Sequence, residues 1–251
     1  MSAHTFLGMA ALAMMLAVPL SASAEPALST SPEVAPSKDV ATKPVKASSF
    51  RMPEINLALG LRAMVMPSAG LDPYATNDSV VQLSLAAGPT LFRSGPVSIA
   101  ALAEWNFGNK ASTARGDATS LTMHRIGVGL ESRFQLARYF MIFARLEPAA
   151  VHLSGTIMDA GLDRPLVSRS WNWALDTTAG AAVLLARTGP AAAPTSRFWF
   201  TGELGYGFAG QSDMIYAPEA SEEDPRKYGS IMMPALRPSG ALMRLAMLVS
   251  F

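Results

Sequence analysis

From Glu54 onward the sequence repeats one pattern eight times: a segment of 11 to 15 residues in which every second side chain is apolar. In EINLALGLRAMVM (Glu54 to Met66), Ile55, Leu57, Leu59, Leu61, Ala63 and Val65 share a face. The next segments are Val80–Phe92, Val97–Phe107, Leu121–Phe134, Tyr139–Val151, Asn172–Ala186 and Arg197–Phe208, and the last runs from Gly240 to Phe251. A period of two is that of a strand with two unlike faces. Each segment is long enough for the ~9–11 residues a tilted strand needs to cross a bilayer. After residue 24 no apolar run approaches the ~18 residues of a spanning helix. Half the sequence is apolar and only 16% charged, so the apolar residues are abundant but dispersed, as alternating strands require.

The connections alternate in length. RSGP (Arg93 to Pro96) and QLAR (Gln135 to Arg138) are tight, and Arg187–Ser196 is a shorter loop. Residues 67–79, 108–120, 152–171 and 209–239 read as long loops. Short turns on one side and long loops on the other predict an up-and-down antiparallel barrel of eight strands.

The ionised side chains provide a separate check. Once the faces are set by the apolar residues, Arg62, Glu104, Arg125, Glu131, Arg133, Arg145, Glu147, Asp176, Glu203 and Arg244 all fall on the opposite face. A sandwich also has polar and apolar faces, so parity alone does not specify a membrane. In a barrel this narrow the interior just holds side chains, and charges there must be paired to offset desolvation. The near balance of acids and bases predicts an interior network of ion pairs that closes the lumen. Glu54 and Arg125 are expected at strand ends, in water and unpaired.

The first 24 residues read as a signal peptide, with the apolar core Phe6–Leu20 followed by Ala22 and Ala24 at small-residue cleavage positions. Residues 25–50 are rich in proline, serine, alanine and lysine without hydrophobic period, which predicts an extended tether. The barrel is assigned to 51–251. With no cysteine and a net charge of +1, disulfides, thiolate chemistry and nucleic-acid binding are not indicated.

Aromatic residues gather near strand ends. Phe92, Phe134, Tyr139, Phe140, Phe198, Phe200 and Phe251 lie beside the short turns, and Trp105, Phe107, Trp171, Trp173, Tyr206 and Phe208 beside the long loops. These are two girdles of the kind found at membrane interfaces. On these patterns the chain from Glu54 to Phe251 resembles the small eight-stranded outer-membrane barrels, similar to the OmpA transmembrane domain and OmpX. The resemblance implies a Gram-negative outer membrane, loops outside and the tether in the periplasm. It also implies contact with outer-membrane lipid and lipopolysaccharide, and a monomer. In that family a terminal aromatic on an alternating last strand is read by the barrel-assembly machinery. The matching residues are Leu245, Met247, Val249 and Phe251. It departs from OmpA in carrying no domain after the barrel.

Three local features bear on chemistry. His152 and Ser154 stand two apart, similar to the His-x-Ser of the lipid A deacylase barrels, in which serine attacks an acyl ester and histidine takes its proton. No acid lies on their face to orient the histidine, Asp159 being the candidate from the loop, and a polar strand end entering a loop is the simpler reading. The acidic run Glu219–Asp224 lacks the spacing of a calcium loop and is followed by Arg226 and Lys227, so it reads as solvated loop and no metal is expected. Gly127, Gly129, Gly205 and Gly207 lie inside strands on the inward face, where they make room for bulky neighbours rather than cradle phosphate. The expected function is that of a non-enzymatic barrel with a structural or surface-interaction role and no cofactor. A lipid A-modifying enzyme and a soluble, lipocalin-like binding barrel are the alternatives.

Overall fold

A computed structural model describes residues 54–114, 117–158, 164–189, 196–218 and 230–251. The segments assigned to the signal peptide and tether, together with Asp159 and Glu219–Asp224, lie outside the described residues.

The described residues form ten strands: β1 Ile55–Val65, β2 Ser79–Ser94, β3 Val97–Ala114, β4 Asp117–Ala137, β5 Phe140–Met158, β6 Leu166–Thr188, β7 Ser196–Ala209, β8 Ser212–Pro218, β9 Ile231–Leu236 and β10 Gly240–Ser250. Each of β1 to β6 pairs antiparallel with the next, β7 pairs with β10, and β10 returns to β1. The ring is closed, and its eight strands follow chain order, so it is an up-and-down barrel without a free edge. The hairpin β8–β9 stands outside the ring, attached to β6 through Leu166 opposite Pro218.

Three of the expected loops are corrected. Residues 108–114 and 117–120 continue β3 and β4, paired as far as Ala114 opposite Asp117. Residues 152–158 and 166–171 likewise continue β5 and β6. Within 209–239 lies the extra hairpin. The tight turn expected at Gln135–Arg138 falls later, because β4 runs through Ala137. These additions share a cause: the strand extensions carry Ser, Thr and small residues where a membrane-spanning pattern calls for apolar ones. At the Gly95 turn φ is +55°, in the left-handed region that glycine adopts without steric cost.

Outward and inward faces alternate along every long strand. On β4 the exposed Ile126, Val128, Leu130 and Phe134 alternate with buried Arg125, Gly127, Gly129, Glu131 and Arg133. Toward the loops the pattern inverts. There Ser120, Thr122, Ser154 and Thr156 face outward, while Leu121, Met123, Val151, Leu153 and Ile157 are buried. At that height the outer wall turns polar and the lumen turns apolar. The tryptophans of the loop-side girdle mark the change: Trp171 and Trp173 are about two-thirds exposed, at 65% and 62%.

Candidate functional site

The interior has three layers. Nearest the turns, Met141, Phe143, Ala182, Trp199 and Leu248 pack together. The middle layer is ionic. Nearest the loops, a larger apolar cluster joins the wall residues Met64, Leu121, Met123, Val151 and Leu153 to Leu71 and Tyr74 from the segment after β1 and to Met214, Tyr216 and Leu236 from the hairpin. Tyr74 and Tyr216 are fully buried and share a hydrogen bond between their hydroxyls. That bond lets two polar groups sit inside an apolar plug without an unpaired hydroxyl.

The strands aim all ten predicted charges into the middle layer. Asp176 Oδ2 lies 2.9 Å from Arg62 Nη2 and 2.8 Å from Arg125 Nη2. The Arg125 contact is ionic rather than a hydrogen bond, since its Nη2 has no aligned acceptor. Arg145 reaches Glu104 Oε2 at 2.8 Å and Glu131 Oε2 at 2.5 Å, and Glu131 also takes a 2.5 Å bond from Arg133 Nε. Arg244 donates to both Glu203 and Glu104. Glu147 stands 3.9 Å from Arg145. Neutral groups complete the shell: Gln82 accepts from Arg62, Asn106 donates to Glu104 at 2.9 Å, Thr178 donates to Glu203 at 3.1 Å and Asn56 accepts from Arg133 at 2.8 Å.

Five arginines thus face five carboxylates, the balance at which buried charges can all find partners. Register brings like charges together as well, with Arg62 opposite Arg244 and Glu147 opposite Asp176. Cross-strand like pairs repel, so opposite charges from other strands must lie between them. Glycines leave the space for this. A Cβ on Gly127 would stand 2.6 Å from Glu147 Oε1, and one on Gly207 2.6 Å from Asp176 Oδ1.

The expectation that Glu54 and Arg125 are unpaired is overturned. Arg125 is buried at 1% exposure beside Asp176, because β4 extends well past it toward the loops. Glu54 does lie at a strand end, but it bonds Arg93 at 2.8 Å on the rim.

His152 and Ser154 are on the outer face of β5, with no hydrogen bond between them. His152 instead sits in an aromatic row that register lays across four strands: Phe107, His124, His152 and Trp171, with ring centroids 5.0, 6.2 and 4.8 Å apart. Among the described residues no acid bonds either histidine ring. Leu245, Met247 and Phe251 are exposed on the outer wall of the last strand, and Phe251 exchanges two backbone bonds with Ile55, at 2.8 and 3.0 Å.

The loop-side plug is what sequence reasoning missed. Its signal was present: Leu121, Met123, Val151, Leu153 and Ile157 have the parity of the interior charges on their own strands. Apolar residues on the charged face, continuing beyond the girdle, mark a strand that leaves the apolar band with its core still enclosed.

No family model matches the sequence, and no curated protein does. The structure is similar to solved barrels from several bacteria. A major outer membrane protein from Thermus thermophilus is 12% identical at a TM-score of 0.46, over 78% of this chain and 99% of that one. The outer membrane protease OmpT from Escherichia coli is 7% identical at 0.45, over 79% and 97%. Neisserial surface protein A is 10% identical at 0.41, over 78% and 94%.

Proposed function

We propose that the chain is a closed, non-enzymatic barrel of a Gram-negative outer membrane, with a structural or surface-interaction role carried by its loop side. The observation that carries this reading is the inversion of sides. Leu57, Leu59, Leu61, Val128, Leu130, Leu146 and Leu204 face outward, each exposed by 45% or more, while ten charges face inward. A ligand-binding barrel in water has the opposite arrangement, which disfavours the lipocalin-like alternative. The outward band lies between two rings of exposed aromatics, as a bilayer boundary requires.

Closure is supported by the space that is left. The gap among the central charges, lined by Arg62, Glu104, Arg145, Glu147, Asp176, Glu203 and Arg244, is about 10 Å³. That is at the threshold for one water, and apolar layers stand on both sides of it. The last strand then serves two roles, as wall and as assembly signal through Leu245, Met247, Val249 and Phe251. The long extensions and the β8–β9 hairpin project outside the cell, and the short turns face the periplasm.

Two measurements test the reading. Membrane-fraction protein is run on a gel with and without heating, and the purified protein is added to a planar bilayer. A heat-dependent mobility shift without conductance steps is expected. Stepwise conductance would overturn the closed interior, and an aqueous protein without a shift would overturn the membrane. For the enzymatic alternative the expected result is that His152→Ala leaves the lipid A acyl pattern of expressing cells unchanged.

A further inference from the structure

The turn side carries a charge feature that the closed barrel does not use. Arg187 on β6 lies directly opposite Arg197 on β7. Arg138, in the turn between β4 and β5, joins them around a cavity of about 200 Å³ whose remaining lining is Gln135, Leu184 and Trp199. Two like charges paired across strands are destabilising unless something neutralises them. In the interior that role is filled by carboxylates, but here no carboxylate among the described residues bonds any of the three arginines. The rim acid, Glu54, is engaged by Arg93. Arg138 is steadied instead by the ring of Tyr139, with its guanidinium carbon 5.5 Å from the centroid.

A second observation points the same way. Arg197 also borders the neighbouring gap on the turn side, lined by Arg93, Arg133 and the Glu54 carboxylate that Arg93 holds. Arg133 is 5% exposed, and its Nη2 has no hydrogen-bond partner among the described residues. The rim therefore has unmatched guanidinium donors on its surface and one more beneath it. Guanidinium forks match the oxygens of a phosphate, which accepts paired bonds from each. The cavity is smaller than the ~300 Å³ at which pockets for whole drug-sized ligands begin, so it fits a headgroup.

We propose that this rim is a phosphate site, in which Arg138, Arg187 and Arg197 hold the phosphate of an anionic phospholipid or of a soluble phosphate ester. The surroundings favour the lipid. Leu136, Tyr139 and Leu185 are exposed beside the arginines, each by more than half. A lipid whose chains lie along that wall brings its phosphate to the rim. The lipid source rests on the membrane reading above; the phosphate site itself does not.

The test compares wild-type protein with the double variant Arg187→Gln/Arg197→Gln. Both are placed in bicelles containing phosphatidylglycerol or phosphatidylcholine, and retained lipid is counted by native mass spectrometry. In a second arm, the thermal unfolding midpoint in detergent is followed as inorganic phosphate is added. Wild type is expected to retain phosphatidylglycerol over phosphatidylcholine, and the double variant to lose about tenfold of that retention. Lys110→Gln, at the far end of the barrel, leaves it unchanged. A phosphate-dependent midpoint shift confined to wild type, with the two lipids retained equally, supports the site with a soluble ligand. Equal behaviour of wild type and double variant in both arms overturns the site. Failure to enter bicelles would count against the membrane reading alone, because the detergent arm still decides the phosphate question. The heat-dependent gel shift of the double variant confirms that its barrel is intact.

Discussion

Replacing Asp176 with asparagine removes the one carboxylate that contacts both Arg62 and Arg125, and changes almost nothing else. The side chain keeps its volume, so no cavity opens. Both arginines are about 2% exposed and lie 2.9 and 2.8 Å from the same oxygen. Arg62 retains its bond to Gln82, but Arg125 has no other contact of that kind among the described residues. Breaking a buried pair from one side costs about 3–5 kcal/mol, chiefly because the remaining charge stays out of water. With an m-value near 3 kcal/mol/M, the urea midpoint in phospholipid vesicles should fall by roughly 1–2 M. Tryptophan fluorescence reads the transition. Glu54→Gln is the control, since its partner Arg93 is 44% exposed and such pairs contribute about 0–1 kcal/mol. Adding Arg125→Met to Asp176→Asn removes the stranded charge and should recover much of the loss. If Asp176→Asn costs no more than Glu54→Gln, the interior is wet enough to screen its charges, and the closed lumen is refuted.

The remaining predictions concern other surfaces. Leu130→Arg, on the outer wall beside the ionic layer, should destabilise the barrel in vesicles by about 2–4 kcal/mol; a barrel surrounded by water would tolerate it, and the same urea assay decides. Gly155→Val forces a branched side chain onto the Tyr216 hydroxyl, where even a Cβ finds no room, and should cost about 1–3 kcal/mol by overpacking. Proteolysis is expected to reach the β8–β9 hairpin sooner in that variant. Burial raises the pKa of both Tyr74 and Tyr216 above the ordinary tyrosine range. Because the folded form holds its protons longer than the unfolded one, the stability they contribute is full below about pH 10 and declines as pH rises beyond it. The protection of the hairpin amides, taken relative to their intrinsic base-catalysed exchange rate, should therefore fall in alkali, and Tyr216→Phe should weaken that dependence.

Much of this arrangement was legible in the alternation. The eight wall strands and the inward placement of the charges follow from counting by twos, because a pleated strand allows no other assignment once one face is apolar. Strand ends were less legible. Ser112, Thr119 and Ser120 look like loop residues because polar side chains suit a strand in water as well as they suit a turn. The fate of Arg125 depended on those ends, since a strand that stops at Leu121 puts it near water and one that continues to Asp117 does not. Pairings across the lumen, such as Asp176 with Arg62, join strands that are not neighbours. They depend on the shear of the whole ring rather than on any segment.

The seam between β1 and β10 has a consequence for the order of events during folding. It is where the two ends of the sheet meet, and it sets Arg62 directly against Arg244. The acid that meets Arg62 comes from β6, across the lumen, while Arg244 is met by Glu203 on the adjacent β7 and by Glu104 on β3. Until the sheet has curled far enough to bring Asp176 across, Arg62 stands at its edge without an acid, while Arg244 already has Glu203 beside it on β7. Joining the two edges thus encloses an arginine that has no acid unless β6 already stands across the lumen to supply one. Closing the seam is favoured once the middle strands face it, and Asp176 is the residue that couples the two.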